Sequence, residues 1–311
     1  MKNSLPRIFV GMLCLIYSSL SAQVTDTNHY NYGIWQSFGN PIAKSTAPEI
    51  KGRLVNFRWA DIEPSPNVWN WVAMDTAFAS RSKDSLPIIF LVYTKQDAPD
   101  WLYSNGVPKV NEKDASGNIT GWSPYYANAQ YKSYFKRMID SVFIHVTGLP
   151  DSIRSKIIAV QACFGSTGDY ISYKGTVDAQ YNLTANDFFI LFKEFTQKYY
   201  DDYKNTNPKI YILSNPQNNG PNQMNWLTAN TPGGWIKTGS LGKGFQLNDE
   251  VTKSSWLYPI LNTPQNGNWV RARCEITGDG VNQGWWLKSP YKNMFTLMCY
   301  GIYWGLDWSN Q

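Results

Sequence analysis

The sequence has 311 residues, 43% of them hydrophobic and only 16% charged, with 28 Lys and Arg against 23 Asp and Glu. A net charge of +5 over that length gives no case for nucleic acid. The only two histidines, His29 and His145, lie far apart and beside no nucleophile signature, which excludes a histidine metal cluster and argues against a Ser-His-Asp triad. The hydrophobic share supports a substantial core, so the surface must be covered largely by Asn, Gln, Ser, Thr, Tyr and Gly.

The first stretch, "MKNSLPRIFVGMLCLIYSSLSAQ", sets Lys2 and Arg7 before an apolar run from Ile8 to Tyr17 and ends in small residues at Ala22. It reads as a signal peptide over residues 1–22, cleaved between Ala22 and Gln23, and predicts a secreted or periplasmic protein of residues 23–311. The run is too short to span a membrane, and no later segment is apolar enough. Leu13 stands where a lipoprotein would have a small residue before Cys14. Without Lys2 and Arg7, 26 basic residues face 23 acidic ones, a net charge of +3. Cys163, Cys274 and Cys299 then remain, an odd count inside apolar runs that predicts buried free thiols rather than a disulfide framework.

Eight apolar, β-rich runs follow: 32–39, 53–59, 87–94, 156–165, 209–215, 234–240, 269–277 and 300–310. Between several of them the apolar residues recur at helical spacing, over 71–85, 131–146 and 185–203. Strands alternating with helices imply parallel pairing, and nearly continuous apolar strands imply burial on both faces. Eight such units with no dinucleotide-binding glycine fingerprint predict an α/β fold, a (β/α)8 TIM barrel in one domain that needs no cofactor. The sequence stops after the eighth run, so the usual last helix is expected to be missing or replaced by cover from residues 23–31.

In such a barrel the active site lies at the carboxyl ends of the strands. Those ends offer Trp35, Gln36 and Ser37 on the first run; Arg58, Trp59, Asp61 and Glu63 on the second; and Tyr93, Lys95, Gln96 and Asp97 on the third. Beyond them come Asp169, Asn215 and Gln217, Lys237, Glu275, and Asp307, Trp308 and Asn310. Glu275 sits in "RARCEIT", where alternation would turn Arg271, Arg273 and Glu275 to one side and an arginine would keep the carboxylate ionised. Asp169 follows Gly168, which lets the backbone turn tightly enough to aim an acid across the mouth. Two carboxyls about 5 Å apart are what retaining glycoside hydrolysis requires, with Asp169 as acid and base and Glu275 as nucleophile. Glu63, ahead of Pro64 and Pro66 in "DIEPSP", reads as a brace of its loop; Arg58 would orient Glu275 or pair with Asp61; Asp279 in "TGDG" reads as a turn.

Tryptophan (14) and tyrosine (20) are abundant, and Trp35, Trp59, Trp122, Trp235, Trp285, Trp286, Trp304 and Trp308 fall near strand ends or in long loops. Flat rings suit the C–H faces of sugars, and Asn, Gln and Tyr suit their hydroxyls, although a single tryptophan is more often core packing. The sugar-binding candidates are Trp35, Arg58, Trp59, Asn215, Lys237, Trp285, Trp304 and Trp308. Lys95, Lys174, Lys237 and Lys288 would meet an anionic sugar or simply be solvated.

"FRWADIEPSPNVWNWVAMDTAFA" resembles the second-strand signature of clan A glycoside hydrolases, and "APDWLYSNG" the Pro-x-Trp-Leu stretch of their β-galactosidase-type members. "VQACFGSTGDYISYKG" is similar to the fourth-strand segment of related barrels from polysaccharide-degrading bacteria. The resemblance runs from about Tyr32 to Asn310 and implies the acid/base role for Asp169 and the nucleophile role for Glu275. It also implies a β-linked plant or algal polysaccharide or oligosaccharide as substrate, with a galactan suggested by family likeness. The sequence departs from the clan at the fourth strand, where Cys163-Phe164 replaces the usual Asn-Glu pair and Asp169 is one methylene shorter. That retracts a proton donor by about 1.5 Å, and a misplacement of about that size costs on the order of 10²-fold in rate. Three readings stay open: a family that uses Asp here, a different acid such as Asp61 or Asp97, or a barrel that binds carbohydrate without cleaving it. The expected partner is carbohydrate, with no metal, no nucleic acid and no membrane span, and the oligomeric state is not legible.

Overall fold

All eight apolar runs form strands of one parallel sheet. The computed structural model describes residues 34–36, 40–48, 50–162, 173–215, 220–238, 272–276 and 306–310, and for 34, 220–221, 235–238, 272–276 and 306–310 it describes the backbone alone. These residues fall in one compact unit, Asn31–Gln311. The leader expected over 1–22 lies outside the described residues, as do His29, Cys163 and Cys299.

The strands are β1 (Ile34–Gln36), β2 (Ile50–Arg58), β3 (Ile88–Tyr93), β4 (Lys109–Lys113), β5 (Ile119–Pro124), β6 (Ile157–Ala162), β7 (Tyr211–Ser214), β8 (Trp235–Thr238), β9 (Ala272–Ile276) and β10 (Leu306–Asn310). Around the barrel they run β1-β10-β9-β8-β7-β6-β3-β2, and β2 pairs with β1 to close the ring. The described helices are α1 (Trp59–Ile62), α2 (Val72–Arg81), α3 (Trp101–Ser104), α4 (Ala129–Thr147), α5 (Asp151–Arg154), α6 (Ala185–Tyr203) and α7 (Gly220–Asn230).

Burial on both faces explains why the strands read as unbroken apolar runs. Val55, Phe57, Ile88, Phe90 and Val92 join the cluster shared with the helices. The alternate residues Leu54, Ile89 and Leu91 are equally buried but stand apart from that cluster, as the two-residue period of a strand requires. Phe57 meets Phe78 of α2 edge-on at 5.2 Å, and Phe78 meets Phe90 at 5.5 Å. Each wholly buried phenylalanine contributes about 1.5–3 kcal/mol. On the other alternate set, Trp35 is 1% exposed, and a Cβ at Gly52 would lie 2.3 Å from its ring. Only glycine in β2 leaves room for that indole.

Local signals set the long helices. Asn128 caps α4 by accepting from Tyr131 N at 2.9 Å, and Tyr131, Phe135, Met138, Ile139, Val142 and Val146 form its buried stripe. Thr184 and Asp187 close a capping box on α6, whose Phe195 meets Phe135 edge-on at 4.6 Å. The predicted helix over 185–203 matches α6 end to end.

The hairpin β4–β5, inserted after β3, was not anticipated. It reaches the segment that follows β6. Lys113 and Thr176 exchange two backbone hydrogen bonds of 2.9 Å, Lys113 Nζ pairs with Asp178 at 2.7 Å, and Tyr126 stacks on Tyr173 at 5.5 Å. Between them Gly175 has φ +118°, and a Cβ there would lie 2.5 Å from the Lys113 carbonyl oxygen. Position 175 therefore requires glycine.

Candidate active site

The carboxyl ends of the eight parallel strands gather on one rim. At the end of β2, Asn56 Nδ2 donates to the Tyr93 hydroxyl at the end of β3 at 2.9 Å. Arg58, the last residue of β2, is about half exposed and binds Asp97 at 2.6 Å and Asp61 at 3.6 Å. The Asp97 hydrogen bond, with the fields of Asp61 and Asp97, raises the guanidinium pKa further. The expected Arg58–Asp61 pair thus exists, but Asp97 is the nearer partner, and both alternative acids are engaged by this cation.

Trp59 begins α1 rather than ending a strand, and that turn carries its ring inward. It is 0% exposed, edge-on to Trp101 at 6.2 Å and against Phe135 at 5.9 Å, with Nε1 donating to Glu63 at 2.8 Å. As a core ring it has no face to offer a sugar, which corrects the binding role expected for it. Glu63 is the brace that its sequence context suggested. Wholly buried, it accepts from Trp59 and from Asn67 N at 2.9 Å and pairs with Arg137.

Lys95 is likewise not a cation for an anionic sugar. It is 2% exposed and pairs at 2.6 Å with Glu112 of β4, itself 1% exposed. Burial pushes the ammonium pKa down, and the Glu112 hydrogen bond offsets only part of that shift. Lys174 is exposed. In the hairpin, Lys109 Nζ lies over the Trp122 ring at 4.3 Å.

Beyond β6 the chain enters residues 163–172, so Asp169 lies outside the described residues, as do Ser37, Gln217, Asp279, Trp285, Trp286, Lys288 and Trp304. Gln161 of β6 is buried, and so is Asn215, directly after β7. Backbone register places the rest. Glu275 is the penultimate residue of β9, in register with Ser309 of β10, which is in register with Trp35 of β1. Two residues nearer the amino ends, Lys237 of β8, Arg273 of β9 and Asp307 of β10 share a register line. Trp235 opens β8 level with Leu213, and Trp308 lies on β10 level with Cys274. Arg273 and Glu275 thus belong to the same alternating set of β9, while Arg271 is outside the described residues.

Among the described residues no three His, Cys, Asp or Glu side chains converge as metal ligands, and no described helix is long and apolar enough to cross a membrane. His145 is occupied structurally, with Nε2 2.8 Å from Asp75 and its ring stacked on Trp71 at 4.2 Å.

Three features escaped the sequence reading: the Lys95–Glu112 pair, the Asn56–Tyr93 bond and the hairpin clamp on the segment after β6. Val110 and Glu112 alternate with more exposed neighbours at strand period, but a carboxylate in that place does not read as a core position.

No protein-family model matches the chain, and no curated protein matches it in sequence. Solved structures do. A β-galactosidase from the psychrophilic Marinomonas ef1 superposes with a TM-score of 0.51 at 14% identity, covering 89% of this chain and 53% of its own. The chain thus spans about half the length of that enzyme. An intracellular xylanase from Thermoanaerobacterium saccharolyticum superposes with a TM-score of 0.54 at 12% identity, covering 90% of this chain and 85% of its own. A mutant of the same xylanase with bound xylotetraose gives 0.54 at 11% identity with the same coverage. These three structures are of a β-galactosidase and a xylanase, and their likeness to this chain shows a shared (β/α)8 fold.

Proposed function

We propose that the protein is a glycoside hydrolase that cleaves β-glycosidic bonds by a retaining mechanism. Glu275 is the nucleophile and Asp169 the acid and base. The observation that carries the reading is the place of Glu275, one residue from the carboxyl end of β9 in a closed barrel of eight parallel strands. Arg273, two residues earlier, suits a carboxylate that must stay ionised to attack an anomeric carbon. The fold shared with a β-galactosidase and a xylanase supports the class of chemistry, and the abundance of tryptophan and tyrosine suits a sugar ligand. The substrate is a plant or algal polysaccharide or its oligosaccharides, with a galactan as the first choice. The leader over 1–22 would place the enzyme outside the cytoplasm.

In this mechanism Asp169 protonates the leaving oxygen while Glu275 forms the glycosyl-enzyme bond. Asp169, then ionised, takes a proton from the water that releases the sugar with its configuration retained. The test is reducing-end release from galactans, xylans and other β-glycans by the wild type, Asp169→Asn and Glu275→Gln. Cleavage by the wild type that falls at least 10²-fold in both variants is expected. Binding without release by the wild type would favour the second reading, a carbohydrate-binding barrel, which the shorter acid at position 169 makes a specific rival.

A further inference from the structure

We infer that Asn56, held by Tyr93, reads a hydroxyl group of the bound sugar and so sets substrate specificity; this rests on the glycoside reading above. A carboxamide has two hydrogen-bonding ends. In Asn56 the Nδ2 end donates to Tyr93 Oη at 2.9 Å, and the Oδ1 end is buried with no partner. A phenol hydroxyl both donates and accepts, so turning the amide round would leave the NH2 orphaned instead. Either way a buried amide atom is unpaired, a state that costs about 1–3 kcal/mol unless something fills it.

Being unpaired does not alone select Asn56, because Trp35 Nε1 is also buried without a partner. Location does. The Trp35 ring is packed against Gly52 and is a core group, whereas Asn56 is only half-buried, third from the end of β2, and Tyr93 is the last residue of β3. Asn56 therefore belongs to the rim where ligands of this fold bind, beside Arg58. Its β2 neighbours Val55 and Phe57 face the helices, so Asn56 is on the opposite set, with Leu54. An amide fixed by a tyrosine at one end and unpaired at the other, on a side chain that is only half-buried, suits a pyranose hydroxyl, which can donate or accept as the amide requires.

The experiment titrates methyl β-D-galactopyranoside, methyl β-D-xylopyranoside and their monodeoxy forms against wild type, Asn56→Ala, Asn56→Leu and Tyr93→Phe by calorimetry, alongside cleavage of the matching nitrophenyl glycosides. The wild type should lose about tenfold in affinity for one particular deoxy form. Asn56→Ala and Asn56→Leu should bind that form and its parent equally, and Tyr93→Phe should narrow the gap. If the alanine variant does not fold, the leucine and Tyr93→Phe variants give the same readout. Unchanged discrimination in the Asn56 variants, with cleavage intact, overturns this inference alone. Asn56-dependent discrimination without any cleavage by the wild type overturns the hydrolase reading alone, and no binding of either sugar overturns this inference while leaving the hydrolase reading to the polysaccharide panel.

Discussion

Replacing Glu63 with Gln keeps the volume of a fully buried side chain and removes its charge. The carboxylate has three donors around it: Trp59 Nε1 at 2.8 Å on Oε2, Asn67 N at 2.9 Å on Oε1, and the Arg137 guanidinium. A glutamine offers one carbonyl oxygen, so keeping it toward Asn67 and Arg137 turns an NH2 group against the indole N–H, donor to donor. One hydrogen bond to a charged acceptor is lost, worth about 1.5–3 kcal/mol, and a buried indole N–H is orphaned. Arg137 limits the damage, because its side chain is 27% exposed and lies over the Trp101 and Tyr134 rings at 5.4 and 5.2 Å. We expect Glu63→Gln to cost about 3 kcal/mol and Glu63→Ala about 4–5 kcal/mol, near the upper range for breaking a buried ion pair from one side. Urea unfolding followed by tryptophan fluorescence measures both. A cost under about 1 kcal/mol for Glu63→Gln, or a loss of carbohydrate binding without a loss of stability, would refute the bracing role.

Two further outcomes follow from the ion pairs. Lys95→Met should destabilise by about 3–5 kcal/mol by leaving the buried Glu112 without its cation, whereas Lys95→Met with Glu112→Leu should recover most of that in guanidinium unfolding; a double variant as poor as the sum of its parts would contradict the account. Glu194 resists ionisation through burial, but hydrogen bonds from Lys132 and Lys136 outweigh that and hold its carboxyl below the usual range. Its contribution is therefore complete above the ordinary carboxyl pKa and lost as pH falls through the lowered native value. Glu194→Gln should cost up to about 1 kcal/mol at pH 7 and nothing in strong acid, a convergence that unfolding curves at several pH values would test.

The barrel was legible because burial on both faces leaves nearly continuous apolar runs, and each of the eight runs contains a strand. Helix α6 was legible because Thr184 and Asp187 mark its start and its buried stripe keeps helical period. The hairpin was hidden because its buried positions include Glu112, Gly121 and Ser123, which do not look like a core face. The burial of Glu112 depends on its pairing with Lys95, 17 residues away, and no local pattern encodes that pairing. Trp59 misled for a related reason. It stands directly after a strand, yet whether such a ring faces the mouth or the helices depends on the turn into α1. Asn56 stands inside an apolar run, and its bond to Tyr93, 37 residues on, is encoded by no local pattern. Glu275 could be placed at a strand end from its flanking residues, since parity and strand length are local properties.

The clasp between Lys113 and Thr176, reinforced by the Tyr126–Tyr173 stack, makes residues 109–126 and 173–178 a single cassette in two pieces. Swapping one piece for the equivalent stretch of another barrel would strand its counterpart, so loop grafting here must carry both halves together. Variation inherited along this rim should likewise arrive in pairs, with glycine retained at 175 wherever the clasp is kept.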